Sequence, residues 1–547
     1  MRREIVQADV LCIGGGLAGL MAGIRGSELG AKVVIADKGN TLRSGSGASG
    51  CDHLCCYIPE VHGSDIEPYI EEHYNGPMCV PRDKPPIRAW LARSFDTVKL
   101  WDSWGIPTKY HGEYNFGGQA IPGHPRMWLH YEGQNQKPVL TREALKRGAE
   151  IRNRVAIIDL LKTDDAVTGA IGVSTREDKL IEFHAKSVIL TTGWQTRLFP
   201  APVSSYPFAL SSPPENTGDG RAMAYRAGAE LMNVELVHRW TGPRYLPRPG
   251  KATWVGLLKD ARGNLLDTLL TKPDKRYGSP AAGRFPIYEE YARTGKGPLY
   301  MDCTGISDDD FEYMMHWMSH EGNSGLVNYI EEEGIDPRRN PVEFMVYDLR
   351  SIGGIYYNER AETSVKGLYA AGDEINGNGC LAATLGWIAG ENATKHAMDT
   401  EVADANADEV KEIIEQRQDQ FDVFLSRKTG ADWLEANIAL QNLMSDYAGS
   451  IRSETLLEAG LNNFRRLKKK AHNKLVAKNQ HELLRCVEVL NLLDMGELMF
   501  VAANERKETR RGHVRADYPD ANPQMDKLLI VKKVDEKPSF EWREIRR

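Results

Sequence analysis

Residues 8–39 read ADVLCIGGGLAGLMAGIRGSELGAKVVIADKG. A short apolar run enters a glycine turn, a stretch rich in small residues follows, and a second apolar run ends at Asp37. This is a complete βαβ unit, and it places the chain in the α/β class on a Rossmann-like core. The spacing gives each glycine a task. Gly14 permits the tight turn, Gly16 lets backbone approach a pyrophosphate, and Gly19 lets the helix close on the strand. The helix N-terminus then faces phosphate charge, and Asp37, with Lys38 behind it, stands where a carboxylate meets ribose hydroxyls.

Composition sets the outer limits. The 547 residues are 41% hydrophobic and 27% charged, the profile of a soluble chain with room for several domains, and no run approaches the roughly 20 apolar residues of a membrane-spanning helix. Direct membrane insertion is therefore not expected. A formal charge of −7 argues against a nucleic-acid partner. Eight scattered cysteines without a paired CxxC framework suit a reducing compartment, and MRREIVQADV runs straight into a strand pattern rather than an export segment. The expected location is cytoplasmic. The cysteine-dense stretch CDHLCC, residues 51–56, matches no standard ligand spacing, and no metal site is read there or elsewhere.

Two further segments run a buried strand into glycine: KSVILTTGW, residues 186–194, and VKGLYAAGDEINGNGC, residues 365–380. They offer Thr192, Gly193, Gly372 and Asp373 as further cofactor contacts, the last placed to meet a pyrophosphate or ribityl hydroxyl. From residue 409 the pattern turns helical, with Val410, Ile413, Ile414, Phe421, Phe424 and Leu425 on one face. RRLKKKAHNK, residues 465–474, reads as a solvated helix face or a dock for an acidic partner.

Taken together, residues 8–39, ENTGDGRAMAYRAGAEL (215–231), GKGPLYMD (295–302), SIGGIYYN (351–358), GLYAAGD (367–373) and RKETRRGHVRADYP (506–519) resemble the flavoprotein subunits of the succinate dehydrogenase and fumarate reductase superfamily. That superfamily includes adenylylsulfate reductase and aspartate oxidase, and the branch nearest in feel is that of the adenylylsulfate reductase flavoprotein, its α chain. The resemblance implies FAD as cofactor. It also implies a split FAD-binding domain (1–232 and 346–404), an inserted α+β capping domain (233–345) and a helical C-terminal domain with a tail (405–547). By the same resemblance the FAD contacts include Ser44, Gly45, Ser49, Gly50 and Asp219. GWIAGENATKH, residues 386–396, would present a helix N-terminus to the flavin, with Trp387 and Ile388 as backbone contacts. The histidine that attaches FAD covalently in fumarate and succinate enzymes falls at Gly45, so noncovalent FAD is expected.

The catalytic pattern departs from the family. The dicarboxylate enzymes' HPT motif falls near His238 and Arg239 without being matched; their PRD-like segment falls near Pro280, with Arg284 the nearest arginine. Their histidine before the glycines falls at Leu349, and their GANR arginine at Ala382. Leucine and alanine do not replace bidentate clamps, so fumarate reduction is disfavoured. Adenylylsulfate is also in doubt, because residues of that branch fall at Cys55, Glu215 and Leu349. Arg350 and Arg244 remain as anion clamp, or else as salt-bridging residues. His238 or Arg239 remains as proton donor, with His238 otherwise a structural histidine. The expectation is an FAD-dependent oxidoreductase subunit that acts on a small anionic substrate and exchanges electrons with an iron-sulfur partner. A relay subunit without its own substrate, an adenylylsulfate reductase-like activity and a self-sufficient oxidase are the alternatives.

Overall fold

The computed structural model describes residues 1–48, 50–76, 81–117, 124–201, 210, 212–239, 241–244, 254–266, 294, 296–320, 324–374, 377–401 and 407–547. β1 (Arg2–Ile13), α1 (Leu17–Glu28) and β2 (Val33–Asp37) form the expected unit, with Val10 level with Val33 in a parallel ladder. A Cβ on Gly19 would lie 1.8 Å from Gly14 O, so only glycine lets α1 seat so closely on its own turn.

Among the described residues the main sheet has seven strands. Beside β1 and β2 run β3 (Glu150–Asn153), β4 (Val155–Thr163), β5 (Ala166–Ser174) and β6 (Lys179–Leu190), in the order β3-β2-β1-β6-β5-β4. The seventh, Leu368–Ala370, arrives from far along the chain. β6 is long enough to hand over its outer edge: Leu180–His184 pair with β5, and Val188–Leu190 pair with Leu368–Ala370. The flavin-type domain is thus split in sequence and single in space.

Between the halves lie α2 (Asp219–Arg226), the two-residue strand β7 (Val237–His238), and a four-stranded antiparallel unit. That unit consists of β8 (Thr241–Pro243), β9 (Leu257–Asp260), β10 (Leu299–Asp302) and β11 (Val342–Val346), ordered β8-β11-β10-β9, with α3 (Asp308–Met318) and α4 (Ser324–Glu332). It owns an apolar core of Trp254, Leu258, Met301, Met314 and Phe344, separate from the core around β1 and α1. β12 (Arg350–Ser351) returns antiparallel to β7, and α5 (Gly379–Met398) then packs along α1.

The C-terminal region is helical as expected: α6 (Asp408–Ser426), α7 (Trp433–Ala448), α8 (Glu454–Lys474) and α9 (Gln480–Glu505). Its tail is not simply a tail. β13 (Leu528–Val534) and β14 (Lys537–Arg543) form a hairpin, and β13 pairs with Leu231–Met232 of the flavin-type domain, Ile530 opposite Met232. The run LLIVKKV alternates too weakly to signal this, because its first four residues are buried on both faces. No helix among the described residues is long and apolar enough to cross a membrane.

Candidate functional site

A cavity of about 580 Å³ opens where the β1–α1 turn, the loop after β2, the end of β6, the start of α2 and the start of α5 converge. Gly14, Gly16, Asp37, Lys38, Ser44, Gly45, Gly50, Thr192, Gly193, Asp219, Gly372 and Asp373 all line it. Ser49 lies outside the described residues.

The turn is built for close approach. Gly14 has φ of +103° and a Cβ there would meet Thr191 O at 2.4 Å, whereas the Cβ direction of Gly16 is open, its nearest atom Thr191 O at 4.0 Å. Gly19 lies below the wall, where it lets α1 pack. Asp37 is held by three donors: the Gly15 N–H at 2.7 Å, the Gly39 N–H at 2.7 Å and the Ser44 hydroxyl at 3.0 Å. Lys137, fully buried, donates to the Gly15 carbonyl, and burial pushes its ammonium down to about 8.

Lys38 is committed to protein partners. Its ammonium donates to Asp219 at 2.7 Å, to Glu488 of α9 at 3.0 Å and to Thr217 at 3.2 Å. Glu488 also accepts from Arg197 and Arg485, each at 2.7 Å, and these cations hold its carboxyl far below the usual carboxylate range despite burial. One wall of the cavity is therefore supplied by α9, through Leu484, Arg485 and Glu488.

Behind Thr192 and Asp373 is a second polar layer. Glu374 accepts from the Thr192 N–H at 2.5 Å and the Thr192 hydroxyl at 2.7 Å; burial pushes it up to about 7. Arg221, fully buried, donates to the Asp373 carbonyl at 2.9 Å, and its Nε and Nη1 have no hydrogen-bond partner among the described residues. Burial lowers Arg221 to about 10. A buried cation thus sits beneath the floor with donor capacity unspent.

One assignment is corrected. The helix that meets the cavity starts at Gly379, not at Gly386, with Asn378 as its cap accepting from the Leu381 N–H at 2.9 Å. Trp387 and Ile388 are inside α5, where their N–H groups serve the helix. Ile388 is buried in the core and Trp387 lies under the Arg25 guanidinium, 5.1 Å away. Asn378 ahead of the helix-forming run CLAATLG was the available signal.

The candidate catalytic residues separate into groups. His238 and Arg350 are partners in the β7–β12 ladder, and both face Trp194, a cavity-lining residue: the Arg350 guanidinium carbon is 5.8 Å and the His238 ring 6.3 Å from the indole. Arg350 is fully buried, 3.8 Å from Asp348, and burial lowers its pKa against the pull of Asp348 and Asp373. Arg239 turns aside to the Tyr347 carbonyl at 3.0 Å and Ser450 at 3.4 Å. Arg244 stands apart from the cavity, its exposed side chain paired with Glu343 at 2.5 Å. Pro280 and Arg284 lie outside the described residues. Leu349 is buried among apolar side chains, and Ala382 lines the cavity without adding a charge.

The segment 506–519 packs rather than reacts. His513 accepts from Arg452 at 2.8 Å and donates to the Arg506 carbonyl at 3.0 Å, while Arg506 binds Glu235 at 2.6 Å and Glu508 at 2.8 Å. Gly512 presses on β7: a Cβ there would lie 1.6 Å from Val237 O. The segment therefore braces the strand that carries His238.

Comparison with known proteins agrees with this geometry. A family model described as the FAD binding domain matches residues 9–383, and one described as the fumarate reductase flavoprotein C-term matches residues 437–546. A subunit of the fumarate reductase (CoM/CoB) of Methanothermobacter marburgensis is 25% identical, over 99% of this chain and 100% of its own. L-aspartate oxidase of Vibrio cholerae is 23% identical, over 96% of this chain and 98% of its own. The structure of adenylylsulfate reductase from Archaeoglobus fulgidus gives a TM-score of 0.85 at 24% identity, over 100% of this chain and 97% of that one.

Proposed function

The chain belongs to the FAD-binding-domain family, with the C-terminal domain of the fumarate reductase flavoproteins, and from that premise we propose that it is the subunit of a redox complex that exchanges electrons between a small anionic substrate and an iron-sulfur partner. It is an FAD-dependent oxidoreductase. FAD, when bound, supplies hydride and single-electron transfer in one group.

The chain's residues divide the remaining work. The Gly14–Gly16 backbone would hold the pyrophosphate, Asp37 and Ser44 would address ribose, and the N-terminus of α5 would offer partial positive charge to the flavin. Gly45 stands where an attaching histidine would be, which supports noncovalent binding. His238 is the candidate proton donor, and Arg350 holds positive charge beside Trp194, where an anionic substrate would need it. The observation that carries the reading is this pairing of His238 and Arg350 across β7 and β12, both beside Trp194 of the cavity lining.

The iron-sulfur partner is supported by the scattered cysteines, which offer no cluster-binding run, and by the Methanothermobacter relative, whose name makes it one chain of a multi-chain reductase. A second reading, a relay subunit without its own substrate, draws on Leu349 and Ala382 and on the burial of Arg350. Anaerobic purification of the native complex, with flavin and iron quantified in one peak, tests the proposal. Flavin arriving with iron and a cysteine-rich protein is expected; a yellow chain eluting alone, without iron and rapidly reoxidised by oxygen, would overturn the partner assignment.

A further inference from the structure

His316 and His320 stand four residues apart at the end of α3, their rings 4.8 Å apart, and Glu132 reaches the same point from the loop before Gly133. One nitrogen from each histidine and a Glu132 oxygen lie within 4.8 Å of one another. His316 Nε2 and His320 Nδ1 are buried and have no hydrogen-bond partner among the described residues. A buried imidazole nitrogen without a hydrogen bond on each of two neighbouring rings is expensive to keep unless a ligand takes it up.

The other close trio of possible ligands among the described residues, Cys51, Asp52 and His53, differs. There Asp52 and His53 hydrogen-bond each other, and the Cys51 thiol donates to the His53 carbonyl at 3.2 Å. Its donors and acceptors answer one another.

We propose that Glu132, His316 and His320 form a binding site for one divalent transition-metal ion of the zinc class, with water completing the coordination. Two nitrogens and one oxygen are a donor set that zinc accepts, and the i, i+4 spacing brings both imidazoles to one side of the helix end. Ligand atoms on a tetrahedral zinc sit roughly 3.3 Å apart, given bonds of about 2.0 Å, so the trio, now within 4.8 Å, would draw together on binding. No cysteine takes part, and the site stands whatever the substrate of the flavin cavity is.

The ion would act as a clip. α3 belongs to the inserted unit and Glu132 to the first flavin-type segment. The two already touch: Gln134 donates to the Ser319 carbonyl at 2.7 Å, and a Cβ on Gly50, a cavity-lining residue, would meet His320 O at 2.6 Å. Metal at this point fixes the end of α3 against the rim of the cofactor cavity.

The experiment uses the flavin-loaded protein, dialysed against a chelator and titrated with Zn²⁺ by calorimetry, and with Co²⁺ followed by its visible ligand-field absorption above the flavin bands. One saturable equivalent is expected, with a metal-dependent rise in the melting temperature. H316A and E132Q are each expected to weaken that equivalent at least about tenfold while keeping their flavin and helical content. Co²⁺ absorption in the wild type reports ligation even if a variant fails to fold. Absence of a saturable equivalent, or an equivalent whose affinity both folded variants leave unchanged, would overturn the assignment.

Discussion

Lys38 Nζ and Glu488 Oε1, 450 positions apart in the chain, lie 3.0 Å from one another at the wall of the cofactor cavity. Glu488 is the shared counter-charge of Lys38, Arg197 and Arg485. Glu488→Gln removes the carboxylate that Lys38, Arg197 and Arg485 share, and removing one member of a buried charge group costs about 3 kcal/mol. A lower urea midpoint and a reduced flavin-to-protein ratio are expected together. An unchanged midpoint with full flavin would mean that α9 does not support this wall.

Glu374 gives a pH dependence with a definite sign. In the fold it holds its proton up to about 7, whereas its ordinary value is 4.5. Between those values the folded chain binds a proton that the unfolded chain has released, so stability falls as pH rises. The loss across that window is about 3 kcal/mol. Glu374→Gln should flatten it, which urea unfolding at pH 5 and pH 7.5 would show; equal slopes in both proteins would remove Glu374 as the cause.

Gly512→Ala tests the brace behind β7. The added methyl would overlap Val237 O, and relieving such overlap costs about 1–3 kcal/mol. Turnover should fall with flavin retained, because the displaced strand carries His238 and not the cofactor wall. Loss of flavin in the variant would show that the strain spreads into the main sheet.

Arg350→Ala separates a substrate-using enzyme from a relay. If the guanidinium serves the substrate anion, steady-state turnover drops by about two orders of magnitude while flavin content is unchanged, and Lys restores only part of it. Reduction of the flavin by the electron partner, measured alone, should stay at the wild-type rate. Full turnover in the alanine variant would favour the relay.

The sequence made some of this legible and hid the rest for identifiable reasons. Gly14, Gly16 and Asp37 of the cavity lining, and Gly19 beneath it, stand out in the sequence because a βαβ unit confines its close contacts to a local spacing. Gly372 and Asp373 followed because a strand that ends in glycine announces a backbone turn. Arg221, Glu374 and Glu488 could not be assigned, since each reads as an ordinary helix or loop charge until the fold buries it against Asp373, Thr192 or Lys38. The α5 N-terminus is set by Asn378 rather than by a glycine, and β13 is hard to read because the first four residues of LLIVKKV are buried on both faces.

The order of the chain bears on how the protein is made. β1, α1 and β2 leave the ribosome first, but β6 waits for Leu368–Ala370, and Lys38 waits for Glu488 on a helix near the end. A nascent chain therefore holds an unfinished cofactor wall, with Lys38 lacking one of its carboxylates, through most of its synthesis. Completion of that wall is a late event in biogenesis, because α9 supplies it from near the end of the chain.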